Sequence, residues 1–425
     1  MRLAEGPWPS RLAVAIGLAL LLFFTRDYPG SWADLSRLAA AWAISEHGGW
    51  RIDTPDNKFG RFTGDKALIA GHYYSDKPPV MAALAGGLAF GLKAFGSGFA
   101  KASRQTVYLL TLLLVGLPFL AYLYMLGRGQ KSFQACLLAL FGSLALPYAF
   151  VFNNHLPAGC LLGLVWLRRS KESAGLSAGF LDGLLLGLAP TLDPAAALAG
   201  GPMAVWVLIF RLKGWPSRLA FILAGLIPLG LHAALTIPLT GDLRWPSLHP
   251  EFMIFPGARL RPTELTGVGG LAWGSPKDWL AYLFGLSLGA KGFFSHNPIT
   301  ILGLIGLGVV LAGKQVEKDR LLAGALLLGS GATMAYYSLF SNNFGGYNYS
   351  VRWFVVLVPL LLPYALRLLD QLQGGWRRAG LAIAWASAGM CLAAWPNPWL
   401  PSHQEAFDLI AGFKLWSGFP FSAQP

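Results

Sequence analysis

Among 425 residues, the side chains able to do polar chemistry are few and grouped. Residues 65–79, DKALIAGHYYSDKPP, hold five ionisable groups beside Tyr73-Tyr74 and end in Pro78-Pro79, which stops any entering helix. The adjacent pair Asp76-Lys77 reads as a solvated ion pair of little energetic worth, or as a lysine placed against an anion such as a phosphate. Tyr73, Tyr74 and His72 offer the hydroxyls, ring faces and hydrogen bonds of a substrate-binding wall. Asp34 stands three residues before Arg37 in SWADLSRLAAAWAISEHGGW, on one face of a helix. It is a helix-start acid paired with Arg37, or a partly desolvated carboxylate able to take a proton.

Other groups stand where apolar runs end. Asn153, Asn154 and His155 precede one run, as a hydrogen-bonded cap or as ligands. Asp193 before Pro194 reads as an N-cap, and His296-Asn297 as another. Arg352 follows the Gly- and Tyr-rich loop NNFGGYNYSVR, which contains Tyr347. At a helix start a cation gains nothing from the helix dipole, so Arg352 needs an anion. Lys291, in GAKGFFSHNP, is a similar case. No GxxxxGK[ST], HExxH or paired CxxC occurs, so ATP use and metalloprotease chemistry are disfavoured.

These residues are positioned by apolar segments. The chain is 55% hydrophobic and 12% charged, against about 25% charged for soluble domains, so the expected fold is an all-α polytopic membrane protein forming one integral domain. Cys136, Cys160 and Cys391 lie within apolar runs and read as small core residues. Runs of membrane-crossing length predict about eleven spans: 10–26, 105–127, 132–151, 155–168, 175–192, 195–211, 217–239, 297–313, 320–341, 352–369 and 378–395. With the N-terminus in the cytoplasm and 79–98 lying at the surface, sixteen of the 33 Lys and Arg residues fall in short inner segments, as the positive-inside rule requires. The formal charge of +13 is then a topology signal and not a nucleic-acid footprint. The outer face receives the first long loop, 27–104, with amphipathic juxtamembrane helices, the second long loop, 240–296, with a surface helix in WGSPKDWLAYLF, and the tail 396–425, whose residues 402–416 are amphipathic. Nearly all candidate residues lie on this outer face. Two polar groups, Asp182 and His232, fall within spans, where a lipid-linked-sugar flippase or transporter would place its charges.

The order Asp34-Leu35-Ser36-Arg37-Leu38-Ala39 after a first span, then an outer loop ending Tyr73-Tyr74-Ser75-Asp76-Lys77-Pro78-Pro79, resembles the type-C glycosyltransferase superfamily, in particular its aminoarabinose transferase and protein O-mannosyltransferase branch. Leu35 stands where many relatives carry a second acid, and Asp76 where the family acid is usually Glu. The resemblance implies a bacterial inner-membrane enzyme with an outward, periplasmic site. It would move a sugar from a polyprenyl-phosphate donor to a lipid, glycan or protein acceptor. It assigns Asp34 as the catalytic carboxylate, Lys77 as the lysine near the donor phosphate and Asp76 as an acid that helps hold a divalent metal ion. Beside these, the residues themselves offer Arg352, Arg37 and Lys291 as further ligands of the donor phosphate, Tyr73, Tyr74, His72, Asn154 and Tyr347 as substrate contacts, and His155 as a second metal candidate. A non-catalytic assembly partner of the same fold is the remaining alternative.

Overall fold

The computed structural model describes residues 7–130, 132–168, 175–258, 270–289, 291–346, 348–395 and 397–399. Helix α1 is Pro7–Phe24. A short connection leads to α2, Trp32–His47, which starts where the Ser31 hydroxyl accepts the Asp34 N–H and stops at Gly48 in the left-handed conformation. Its alanine-rich surface is almost wholly buried. That lets α3, Pro79–Lys93, lie close against it: a Cβ on Gly86 would fall 2.7 Å from Ile44.

Between these helices stands an antiparallel hairpin, β1 Lys66–Ile69 and β2 His72–Ser75. The all-helical expectation missed it. Its two-residue turn, Ala70-Gly71, has positive φ at both positions (49° and 82°), the twist that suits a tight hairpin. The Ile52 N–H donates to the Tyr73 carbonyl, tying the hairpin to the preceding loop.

The following helices are α4 Phe99–Gly127, α5 Phe133–Phe141, α6 Ala145–Ala149, α7 His155–Leu167, α8 Leu176–Leu192, α9 Ala195–Arg211 and α10 Trp215–Thr240. After them come α11 Pro276–Ser287, α12 Ile299–Ala312, α13 Glu317–Phe340, α14 Arg352–Gln371 and α15 Gly374–Ala393. Four of them, α4, α10, α13 and α14, are long and apolar enough to cross a membrane, and six more apolar helices are shorter. The chain is an integral membrane protein. Pro118 lacks the N–H that would continue α4 regularly, and the turn before it, Leu112–Gly116, loosens into a π-helix.

The expected span 132–151 is not one helix. It breaks at Gly142-Ser143, and the freed Gly142 carbonyl accepts the Ser387 hydroxyl at 2.8 Å. The tightest packing joins α8 to α10. A Cβ on Gly179, Gly183 or Gly187 would stand 2.1–2.4 Å from the carbonyls of Ser217, Phe221 and Gly225. The one-turn spacing of these glycines lets the backbones touch, as small residues do between membrane helices. α14 is almost entirely enclosed and α10 is the most exposed of the four long spans. In the second long loop a helix forms, α11, capped by Ser275 and pinned by the Trp279 indole, which donates to the Ser338 hydroxyl. The amphipathic tail 402–416 lies outside the described residues.

Candidate active site

Asp34 lies in the first turn of α2 and is 1% exposed. The Gly30 N–H donates to its Oδ2 at 3.3 Å, and Oδ1 has no partner. Burial pushes its pKa up to about 7, although Ser31, Arg37, the Gly30 N–H and Arg352 all oppose the rise. The simple pairing with Arg37 does not form. Arg37 is buried, donates Nη1 to the Ala33 carbonyl and makes no ion pair among the described residues. Its charge nevertheless acts on Asp34, Asp76 and Asp193.

Arg352 opens α14 on the same site and acts on both Asp34 and Arg37. It makes no ion pair among the described residues, and its Nε is buried without a partner. Lys291 is brought beside it by the Val351 N–H, which donates to the Lys291 carbonyl, and by the Lys291 ammonium, which donates to the Gly346 carbonyl at 2.8 Å. Burial first, and then the Arg352 charge, lower its pKa to about 8. Two half-enclosed cations without a counter-ion raise each other's cost. An anion relieves it.

Lys77 differs from its sequence reading. Its ammonium stands 2.7 Å from Asp65 and 2.8 Å from Asp76, both buried. It is thus neither a solvated pair nor a free phosphate ligand. Burial pushes Asp65 up, but the Lys77 charge and hydrogen bond hold it below the usual carboxylate range. Asp76 is raised, first by burial and further by Asp65. The Ser36 hydroxyl donates to Asp76 and meets Ser75 at 2.7 Å, joining the cluster to α2. The sequence reading missed Asp65. Its signal was weak: Asp65 opens the 65–79 stretch, well before Asp76-Lys77 in sequence, and only the hairpin brings it onto Lys77.

His155 binds Asp193 through Nδ1 at 2.5 Å, while Asp193 Oδ1 also accepts the Ala195 N–H. Asp193 is therefore the expected cap and a histidine partner at once. Asn154 donates to the Leu192 carbonyl and leaves Oδ1 unpartnered. Lys77 and Ser36 contact Asp76, Asp193 contacts His155, and no group of three His, Cys, Asp or Glu side chains that could hold a metal ion converges among the described residues.

The hairpin side chains face elsewhere. His72 pairs with Asp53 at 3.0 Å, and Tyr73 packs against Phe255 under the Lys66 ammonium. Tyr74 lines, with Trp50, Arg51 and Leu235, a cavity of about 620 Å³ between the first long loop and the end of α10. Tyr347 lies outside the described residues. The two polar groups within spans are both engaged: Asp182 joins Arg168 at 3.1 Å and Arg211 at 2.8 Å, and His232 bonds the Leu243 carbonyl.

No protein-family model matches this sequence, and no curated protein matches it. Solved structures do. The Archaeoglobus fulgidus oligosaccharyltransferase in the apo form aligns over 93% of this chain with 12% identity and a TM-score of 0.52. The chain shares that protein's fold. Crystal structures of ArnT from Cupriavidus metallidurans also align over 90% of the chain: one in the apo state at 16% identity and TM-score 0.49, and one bound to undecaprenyl phosphate at 17% and 0.48. The chain spans 64% of the length of each ArnT structure and 57% of the oligosaccharyltransferase.

Proposed function

We propose that this protein is an integral membrane glycosyltransferase that moves a sugar from a polyprenyl-phosphate donor to an acceptor hydroxyl or amine. The observation that carries the reading is the pairing of a buried carboxylate, Asp34, with two uncompensated cations, Arg352 and Lys291. A sugar on a phosphate already has a good leaving group. The reaction then needs one base to take the acceptor proton and cations to hold the departing phosphate. Asp34, titrating near neutrality, suits the base. Arg352 and Lys291 suit the phosphate, with Arg37 behind Asp34. As the acceptor attacks the anomeric carbon, the bond to the phosphate oxygen breaks, the proton passes to Asp34, and polyprenyl phosphate leaves. Attack opposite the leaving group inverts the anomeric centre.

The further reading is of eleven spans in a bacterial inner membrane, with a cytoplasmic N-terminus, residues 79–98 at the outer surface and a periplasmic site. Support comes from the basic residues in short inner segments and from the shared fold. The test is transfer in proteoliposomes, using undecaprenyl phosphate linked to a panel of hexoses and pentoses. Loss of transfer in a folded Asp34→Asn protein supports the reading. Full-rate transfer by that variant overturns Asp34 as the base.

A further inference from the structure

The cavity of about 620 Å³ between the first long loop and the end of α10 takes no part in the proposed reaction. Trp50, Tyr74, Leu235 and Leu239 line it, and the same four line a narrower recess of about 20 Å³, so the two form one groove. The recess has room for one water-sized group and ends on Lys77 and Thr236. On α2 the cavity touches Ala43 and His47, which follow Asp34 by about 14 and 20 Å along the helix axis at 1.5 Å per residue.

The two ends of the groove differ in charge. In the recess the Thr236 hydroxyl is buried and has no partner among the described residues. It is an exception: the helical threonines Thr106, Thr111, Thr191, Thr240, Thr300 and Thr333 all donate to a carbonyl three or four residues back. The Lys77 ammonium has three N–H groups, and Asp65 and Asp76 account for two. Those acids already balance its charge, so the recess suits a neutral oxygen and not an anion. At the far rim His47 is taken by Asp56 at 2.9 Å, and His72 takes Asp53 at 3.0 Å. Arg51 lines the cavity, makes no ion pair among the described residues, and no acid among them lines the cavity with it.

The remaining wall belongs to a membrane span. α10 has 26 residues, about 39 Å at 1.5 Å per residue, against roughly 30 Å of hydrocarbon, so its last two turns reach the headgroup level. Ala234 and Pro238 in those turns are exposed and line the cavity, which therefore opens onto the lipid-facing side of α10. We propose that the groove holds one anionic glycerophospholipid of the surrounding membrane. Its phosphate meets Arg51, an ester carbonyl enters the recess to accept from Thr236 and Lys77, and an acyl chain leaves along Leu235 and Leu239. A zwitterionic headgroup would bring an ammonium to a rim that offers a cation and no free acid. The bound lipid ties the hairpin, through Tyr74, to α10. This site goes beyond the transfer reaction and does not depend on it.

The test titrates the full chain, purified in detergent and stripped of lipid, with phosphatidylglycerol, read by native mass spectrometry and by the thermal midpoint. One copy is expected to bind and to raise the midpoint as it is added. Phosphatidylethanolamine is expected to bind about fivefold more weakly. Arg51→Met, at an exposed position, is expected to cut phosphatidylglycerol affinity by about tenfold. Thr236→Val keeps the shape, removes the hydroxyl and is expected to cut it by about fivefold. Ala234→Trp, which fills the groove from an exposed position, is expected to abolish binding while the lipid-free midpoint stays near wild type. Unchanged affinity in Arg51→Met or in Ala234→Trp would overturn the proposal, as would equal affinity for the two phospholipids. An equal midpoint rise with glycerol 3-phosphate alone would make this a site for a soluble phosphate and overturn it. Displacement of phosphatidylglycerol by a lower concentration of undecaprenyl phosphate would give the groove to that lipid and overturn it too.

Discussion

Two groups of charge flank α2, and they are built on opposite principles. On one side Lys77 sits between Asp65 and Asp76, with Ser36 and Ser75 closing the network. Each of the three charged groups there has a partner. On the other side Asp34 and Arg37 are buried and Arg352 and Lys291 half-buried, with no ion pair among them in the described residues, and three of the four carry orphaned atoms. The closed group holds the hairpin to α2. The open group costs stability and is poised for a ligand, because an uncompensated buried cation gains most when an anion arrives.

The sharpest way to break this comparison is Asp34→Asn. Loss of a positioned base is expected to lower the transfer rate by roughly 10²–10⁴-fold, measured in proteoliposomes. The same variant is expected to be more stable than wild type at pH 8. The Asp34 carboxyl has a folded value near 7, above its ordinary 3.8. Its contribution to stability is therefore present in acid and lost as pH rises through 7. A thermal midpoint for Asp34→Asn that falls below wild type at pH 8 would contradict the open-site picture.

Lys77→Met strands two buried carboxylates, and breaking such a pair is expected to cost about 3–5 kcal/mol, read from thermal or denaturant unfolding. The double change Lys77→Met with Asp65→Asn removes one of the two acids, and Asp76 is already biased toward its neutral form. It is expected to recover much of the stability and to retain transfer. A stable double variant without transfer would return Lys77 to the phosphate.

Arg352→Met is expected to weaken donor binding by roughly tenfold to a hundredfold, from hydrogen bonds to a charged group, with no loss in thermal midpoint. Destabilisation by this variant would mean that Arg352 is already paired.

The smallest effect is in the pH profile. Transfer under kcat/KM conditions is expected to rise as Asp34 deprotonates near pH 7 and fall as Lys291 loses its proton near pH 8. Bound phosphate holds the proton on Lys291, so the alkaline limb of kcat is expected to move upward. A limb that stays in place would separate Lys291 from the donor.

The sequence by itself determined the membrane class and α2 with its acid at the head, through the apolar runs and the motif around Asp34. It also picked out Arg352 as a cation in need of an anion, because a positive charge at a helix start has no local support. These are properties of neighbouring residues, and neighbours are legible. Spacing along the chain did not reveal that Lys77 is neutralised, since Asp65 reaches it only when the hairpin folds back at Ala70-Gly71. The same is true of Asp193, which meets His155 across the ends of α7 and α8, and of the broken helix at Gly142, whose stray carbonyl is satisfied by Ser387 from α15. Only the tertiary structure decided which charges are paired and which are left open, because pairing in a buried site depends on contacts between segments tens to hundreds of residues apart.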